Sequence, residues 1–159
     1  MIKVGIVCGG MSSEHEISCI SASGVLEAID REKYEPLLIG ITKSGKWVSL
    51  PTDTKFEISN GALPEVPESA PSIAIDQIKV DVVFPILHGP YGEDGTIQGL
   101  LEMLDIPYVG NGVLASAVAM DKHFAKQIFI DKVIKKLRYH HMGMTQALVL
   151  LRKMSLIIY

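Results

Sequence analysis

Two short stretches concentrate the residue types that can do chemistry: Gly9-Gly10-Met11-Ser12-Ser13-Glu14-His15-Glu16 and His88-Gly89-Pro90-Tyr91-Gly92-Glu93-Asp94-Gly95. A carboxylate accepts hydrogen bonds from an ammonium group, an imidazole can donate to a carboxylate, and glycines let backbone approach a ligand closely. In the first stretch Ser13 and Glu16 have the spacing of a capping box, which accounts for Glu16. Glu14 has no such assignment. It is either one more acid favourable to a helix dipole or a carboxylate free to face a cleft. His88 is either bonded to loop backbone or placed to meet a substrate carboxylate. Asp94 suits the cap of the helix that begins at Thr96, while Glu93 fits either role. Lys122 can offer a point charge to phosphate, though a lone lysine is usually solvated. The double glycine is not the GxGxxG pattern, so no dinucleotide site is implied.

These stretches need elements to hold them. Lys3 to Cys8 is a short apolar run closed by two glycines, which reads as a buried strand. Ala22, Val25, Leu26 and Ile29 then repeat with helical period. Tyr34 to Thr42 reads as a second strand, turned by Lys43-Ser44-Gly45-Lys46 into a short partner, Trp47 to Leu50. Residues 51–75 hold Pro51, Pro64, Pro67 and Pro71 with Asn60-Gly61, the composition of a surface insertion. Val80 to Leu87 is a nearly continuous apolar run of the kind a doubly covered parallel strand shows, and Ile97, Leu100, Leu101 and Leu104 mark the next helix. Pro107-Tyr108-Val109 suggests a brief strand, followed by an Ala-rich helix from Val113 to Met120 expected to pack closely. The alternation predicts an α/β fold: an open, mostly parallel sheet with helices on both faces. Ligands of such sheets bind beyond the carboxyl ends of the strands, where both glycine-rich stretches fall.

Composition narrows the function. The 159 residues carry 15 Lys+Arg against 18 Asp+Glu, a net charge of −3, so no bulk positive field favours nucleic acid or anionic lipid. No apolar run approaches the ~20 residues of a membrane span, and the N-terminus lacks a signal-peptide pattern, so a cytoplasmic protein is expected. Cys8 and Cys19 read as small buried thiols rather than a disulfide or zinc pair. His15, His123, His140 and His141 show no metal-ligand spacing and read as surface residues.

The runs from Gly9 to Ser18, from Leu87 to Gly99 and from Tyr108 to Lys122 resemble, in order and separation, the N-terminal part of D-alanine:D-alanine ligases. The resemblance covers residues 1 to about 132. It implies a Rossmann-like domain preceding an ATP-grasp enzyme that joins two D-alanines for peptidoglycan, using ATP and Mg²⁺ or Mn²⁺, through an acyl phosphate. By resemblance the catalytic-site residues are Glu14, on the ammonium of the first D-alanine, and His88, beside its carboxylate. Gly9, Gly10, Ser13, Gly89, Gly92 and Glu93 would contact the substrate and Lys122 the ATP phosphates; no metal ligand falls in this chain. The implied organisation is a substrate-binding domain over 1–122, the start of a connection over 123–132 and an atypical tail over 133–159, which resembles nothing in the family. The expectation is therefore a chain cut short before the ATP-grasp part, inactive alone unless another chain supplies that part, and a homodimer at full length. A non-catalytic D-alanine-binding fragment and a fragment of a D-alanine:D-lactate or D-alanine:D-serine ligase are the alternatives.

Overall fold

The computed structural model describes residues 1–132, in the order β1 (Ile2–Gly9), α1 (His15–Ala28), β2 (Tyr34–Ile41), β3 (Trp47–Leu50), β4 (Val82–Pro85), α2 (Thr96–Met103), α3 (Val113–Met120) and α4 (Lys122–Lys132). The expected tail over 133–159 lies outside the described residues, as do His140 and His141. The sheet runs β3-β2-β1-β4. β1 pairs in parallel with β2 on one side and β4 on the other, and β3 returns antiparallel to β2. This is the open, mostly parallel α/β sheet the alternation predicts.

The period-2 alternation of β1 divides its side chains between two cores. Val4, Ile6 and Cys8 join Leu38, Val48 and Leu50 under α1, which contributes Cys19, Ala22 and Leu26. Val7 joins Ile39, Ile41, Val83 and Leu87 on the opposite face, under Ile97 and Leu101 of α2. Helices thus cover both faces. Both cysteines are buried and free. Cys8's thiol is pushed up, chiefly by its hydrogen bond with Cys19 and then by burial, so it stays protonated and inert.

Three local expectations need correction. The 51–75 stretch runs largely over the surface, yet it sends Phe56, Val66 and Ala70 into the α1-side core. Its prolines shape the path without keeping those apolar side chains out. Residues 107–109 do not form a full strand: Tyr108 makes a single parallel bridge to Val83, with Val83 N–H donating to Pro107 O and Val109 N–H to Val83 O, each at 2.8 Å. The α3 helix is not closely packed. Only Ser116 is buried and Leu114 is 78% exposed. Its apolar residues lie on every side, so one contact line against α2 and α4 cannot bury them all.

Candidate functional site

The loops after β1 and β4 are fastened to each other by hydroxyls. Ser12 Oγ donates to the His88 carbonyl at 2.7 Å while accepting the Glu14 N–H at 3.1 Å. Ser18 Oγ donates to Ile86 O at 2.6 Å and accepts the Gly9 N–H at 2.8 Å. Ser21 Oγ meets His88 Nε2 at 3.1 Å. One loop and one helix thereby fix the end of β4 at three points. The signal that could have found these residues is the Ser18/Ser21 pair, three apart within the Cys19, Ala22 stripe, where a buried hydroxyl must find a backbone partner.

His15 is fully buried rather than on the surface. Val66 N–H donates to Nε2 at 3.0 Å, so the ring proton sits on Nδ1, which donates to Gly10 O at 2.7 Å. The imidazole therefore joins the first loop to the 51–75 stretch. Gly9 and Gly10 have φ of +86° and +97°, and a Cβ on Gly9 would collide with Ile41 O, whose neighbouring Gly10 N–H donates to that same carbonyl at 2.8 Å. Only glycine fits this turn.

The expected Ser13/Glu16 capping box does not form. Helix α1 starts at His15 with Glu14 at its N-cap and no side-chain cap. Glu16 turns instead to Lys43, Nζ to Oε1 2.6 Å, and Lys43 also reaches Glu65 at 2.7 Å. The Lys43 hydrogen bond holds the Glu16 carboxyl below its usual range, and those to Glu16 and then Glu65 raise the lysine. Ser13 is exposed.

The second loop is built around its own acids. Glu93 Oε2 accepts the Gly89 N–H at 2.8 Å, and Gln98 Nε2 donates to Gly92 O at 3.0 Å. Asp94 takes the Tyr91 N–H at 2.9 Å and the Thr96 N–H at 3.0 Å, capping α2 as expected, one residue ahead of the formal N-cap Gly95. Partial burial alone would raise its carboxyl, but the hydrogen bonds from Tyr91 and Thr96 outweigh that and hold it below the usual range.

A cleft of about 130 Å³ opens between the loops on the α2 side. It is smaller than the ~300–1,000 Å³ of drug-sized sites. Gly9, Gly10, Ser12, His88 and Gly92 line it, with Met11, Trp47, Leu87 and Leu100 as apolar walls. Glu14 stands beside it: its carboxylate lies over Gly89, so close that a Cβ there would collide with it. Glu14 is exposed and makes no side-chain hydrogen bond or ion pair with the described residues. Of the residues singled out in the sequence, Gly9, Gly10, Glu14, His88, Gly89, Gly92 and Glu93 thus gather at one junction. Lys122 does not line the cleft; it opens α4, exposed. His123 is exposed, as expected, against Gln127. Among the described residues no group of His, Cys, Asp or Glu could hold a metal ion. An unpartnered carboxylate and a half-buried imidazole on neighbouring loops suit a ligand carrying both an ammonium and a carboxylate.

Comparison with known proteins identifies relatives of this chain. The family model described as D-ala D-ala ligase N-terminus matches residues 3–111. A D-alanine--D-alanine ligase of Paenarthrobacter aurescens is 51% identical over 147 residues, covering 80% of this chain and 39% of its own length. One from Kineococcus radiotolerans is 48% identical, covering 78% and 39%. The solved D-alanine-D-alanine ligase of Coxiella burnetii superposes with a TM-score of 0.70 at 35% identity, covering 88% of this chain and 44% of that one. The D-Ala:D-Ser ligase of Enterococcus faecalis gives 0.63 at 34%, covering 80% and 40%. The chain spans about two fifths of the length of the curated relatives it matches.

Proposed function

The chain belongs to the D-Ala D-Ala ligase N-terminal family, and from that membership we propose that residues 1–122 are the D-alanine-binding domain of an ATP-dependent D-alanine:D-alanine ligase. In this reading 123–132 begin the connection to an ATP-grasp part. ATP with Mg²⁺ or Mn²⁺ would convert the first D-alanine's carboxylate to an acyl phosphate for attack by the second amine, in the cytoplasm, as a step toward peptidoglycan. The described residues do not form a metal site, and Lys122 alone does not make a phosphate site.

What the chain's own residues do is bind and orient. Glu14 accepts the ammonium of the first D-alanine, and His88 donates to its carboxylate. The rigid backbone of Gly9, Gly10, Gly89 and Gly92 brings both loops close to the ligand, so the zwitterion is held at its two charged ends before reaction. Supporting this reading is one observation: the Glu14 carboxylate over Gly89, next to His88 and without a side-chain partner among the described residues.

The test is a graft of residues 1–132 into the matching segment of the Paenarthrobacter aurescens ligase. D-alanine-dependent phosphate release is the expected result. A folded graft without it would reject the reading.

A further inference from the structure

We propose that Ser21 is a positioning residue for His88, fixing the imidazole as its Nδ1–H tautomer so that a neutral ring offers a donor to the ligand carboxylate. The inference deepens the reading of the junction as a D-alanine site and rests on it. Ser21 Oγ lies 3.1 Å from His88 Nε2, and the residue's own carbonyl is held by Ser12 at 2.7 Å. Backbone and ring are thus both tied to the α1 side, while His88 lines the cleft. Nδ1 has no hydrogen-bond partner among the described residues. A carboxylate can only accept, so the ring nitrogen that meets it must carry a proton. In a neutral imidazole the other nitrogen is then an acceptor, and Nε2 can fill that role only if Ser21 donates to it. The alternative, Nε2–H donating to Ser21, would turn a lone pair toward the ligand carboxylate and repel it. Helix α1 is well suited to impose the choice. Ser18, three residues earlier, pins Ile86 O on the same strand end, so the helix cannot slide away from His88.

The experiment is long-range ¹H–¹⁵N NMR on the full chain labelled with ¹⁵N-histidine, which reads the tautomer of each ring. In the wild-type chain His88 is expected as Nδ1–H at neutral pH, and D-alanine is expected to shift its Nδ1 resonance. Ser21→Ala should release the ring to a tautomer mixture and weaken that response roughly 3- to 10-fold in D-alanine concentration, whereas Ser21→Thr, which keeps the hydroxyl, should behave as wild type. His15, fixed independently as Nδ1–H, reports that each variant is folded. In the graft, Ser21→Ala should raise KM for D-alanine roughly 3- to 10-fold, the loss of one neutral hydrogen bond, with kcat changed less. A wild-type His88 found as Nε2–H overturns the proposal whatever the variants do, and so does an unchanged tautomer in folded Ser21→Ala. If the tautomers behave as expected but D-alanine shifts nothing in any form, the D-alanine reading fails and the Ser21–His88 pair stands.

Discussion

Replacing His15 by leucine tests whether the first loop is held by hydrogen bonds or by packing. The side chain is wholly buried, and its two nitrogens serve Val66 N–H at 3.0 Å and Gly10 O at 2.7 Å. Leucine fills most of the space and serves neither group. Each of the two orphaned buried backbone groups costs ~1–3 kcal/mol, and the greater apolarity of leucine offsets ~1 kcal/mol, so a net loss of about 1–5 kcal/mol is expected. At a urea slope of ~2 kcal/mol/M, that moves the unfolding midpoint down by about 0.5–2.5 M. Two further variants separate the bonds. Glutamine can present an amide oxygen near the Nε2 position to Val66, and asparagine an amide N–H near the Nδ1 position to Gly10, so each should lose roughly half as much. The assay is urea unfolding of the purified chain followed by circular dichroism. A leucine variant within ~0.3 M of wild type, or glutamine and asparagine variants as unstable as leucine, would refute the reasoning, because then volume alone holds the loop.

Gly89→Ala brings a methyl into collision with the Glu14 carboxylate, at a φ of +68°; about 1 kcal/mol of stability should be lost, and the D-alanine response of His88 in NMR should disappear. Glu14→Gln in the graft removes one charge-assisted hydrogen bond, ~1.5–3 kcal/mol, or roughly 10- to 150-fold in first-site D-alanine affinity with ATP affinity unchanged; steady-state kinetics in each substrate checks it. Glu16 is lowered by Lys43, so its contribution is present above the unfolded carboxyl value of ~4.3 and lost as pH falls through the depressed folded value. Urea midpoints of wild type and Lys43→Met should therefore differ at pH 7 and converge in acid; a constant gap down to pH 2 would remove the ion pair from the account.

The fold was legible where periodicity is strong and local. Lys3 to Cys8, the Ala22 to Ile29 stripe and the Ile97 to Leu104 stripe each encode one buried face, and the sheet followed from their order. The candidate site was legible through glycine spacing, which marked both loops. What sequence hid were choices settled by distant partners. His15 looked like a surface residue because its acceptor role depends on Val66, fifty-one residues away. Ser13 and Glu16 fit a capping box, but Lys43, from the β2–β3 turn, pairs with Glu16. Periodicity likewise overstated α3, where apolar residues all round carry no information about which side has a partner.

On the proposed reading, the junction draws its recognition groups from different loops. A zwitterion presents opposite charges within a few ångströms, and a carboxylate and an imidazole on one short segment would tend to pair with each other before any ligand arrived. Here Glu14 and His88 reach the site from the ends of different strands, and neighbouring side chains occupy the groups that could neutralise them. Glu93 and Asp94 are engaged with loop N–H groups, Lys43 with Glu16 and Glu65, and Ser21 with the far nitrogen of His88. Among the described residues these pairs leave the Glu14 carboxylate and the His88 Nδ1 open, so ligand binding there need not break a protein hydrogen bond to begin. By this argument an added cation within reach of Glu14 should weaken D-alanine binding without unfolding the domain. Ser13→Lys is the simplest form: Ser13 is exposed and makes no side-chain bond with the described residues, so the urea midpoint should hold within ~0.3 M. First-site D-alanine affinity in the graft should fall several-fold at low salt and recover toward wild type as screening rises. An affinity that ignores salt, or that improves, would place the ammonium elsewhere than on Glu14.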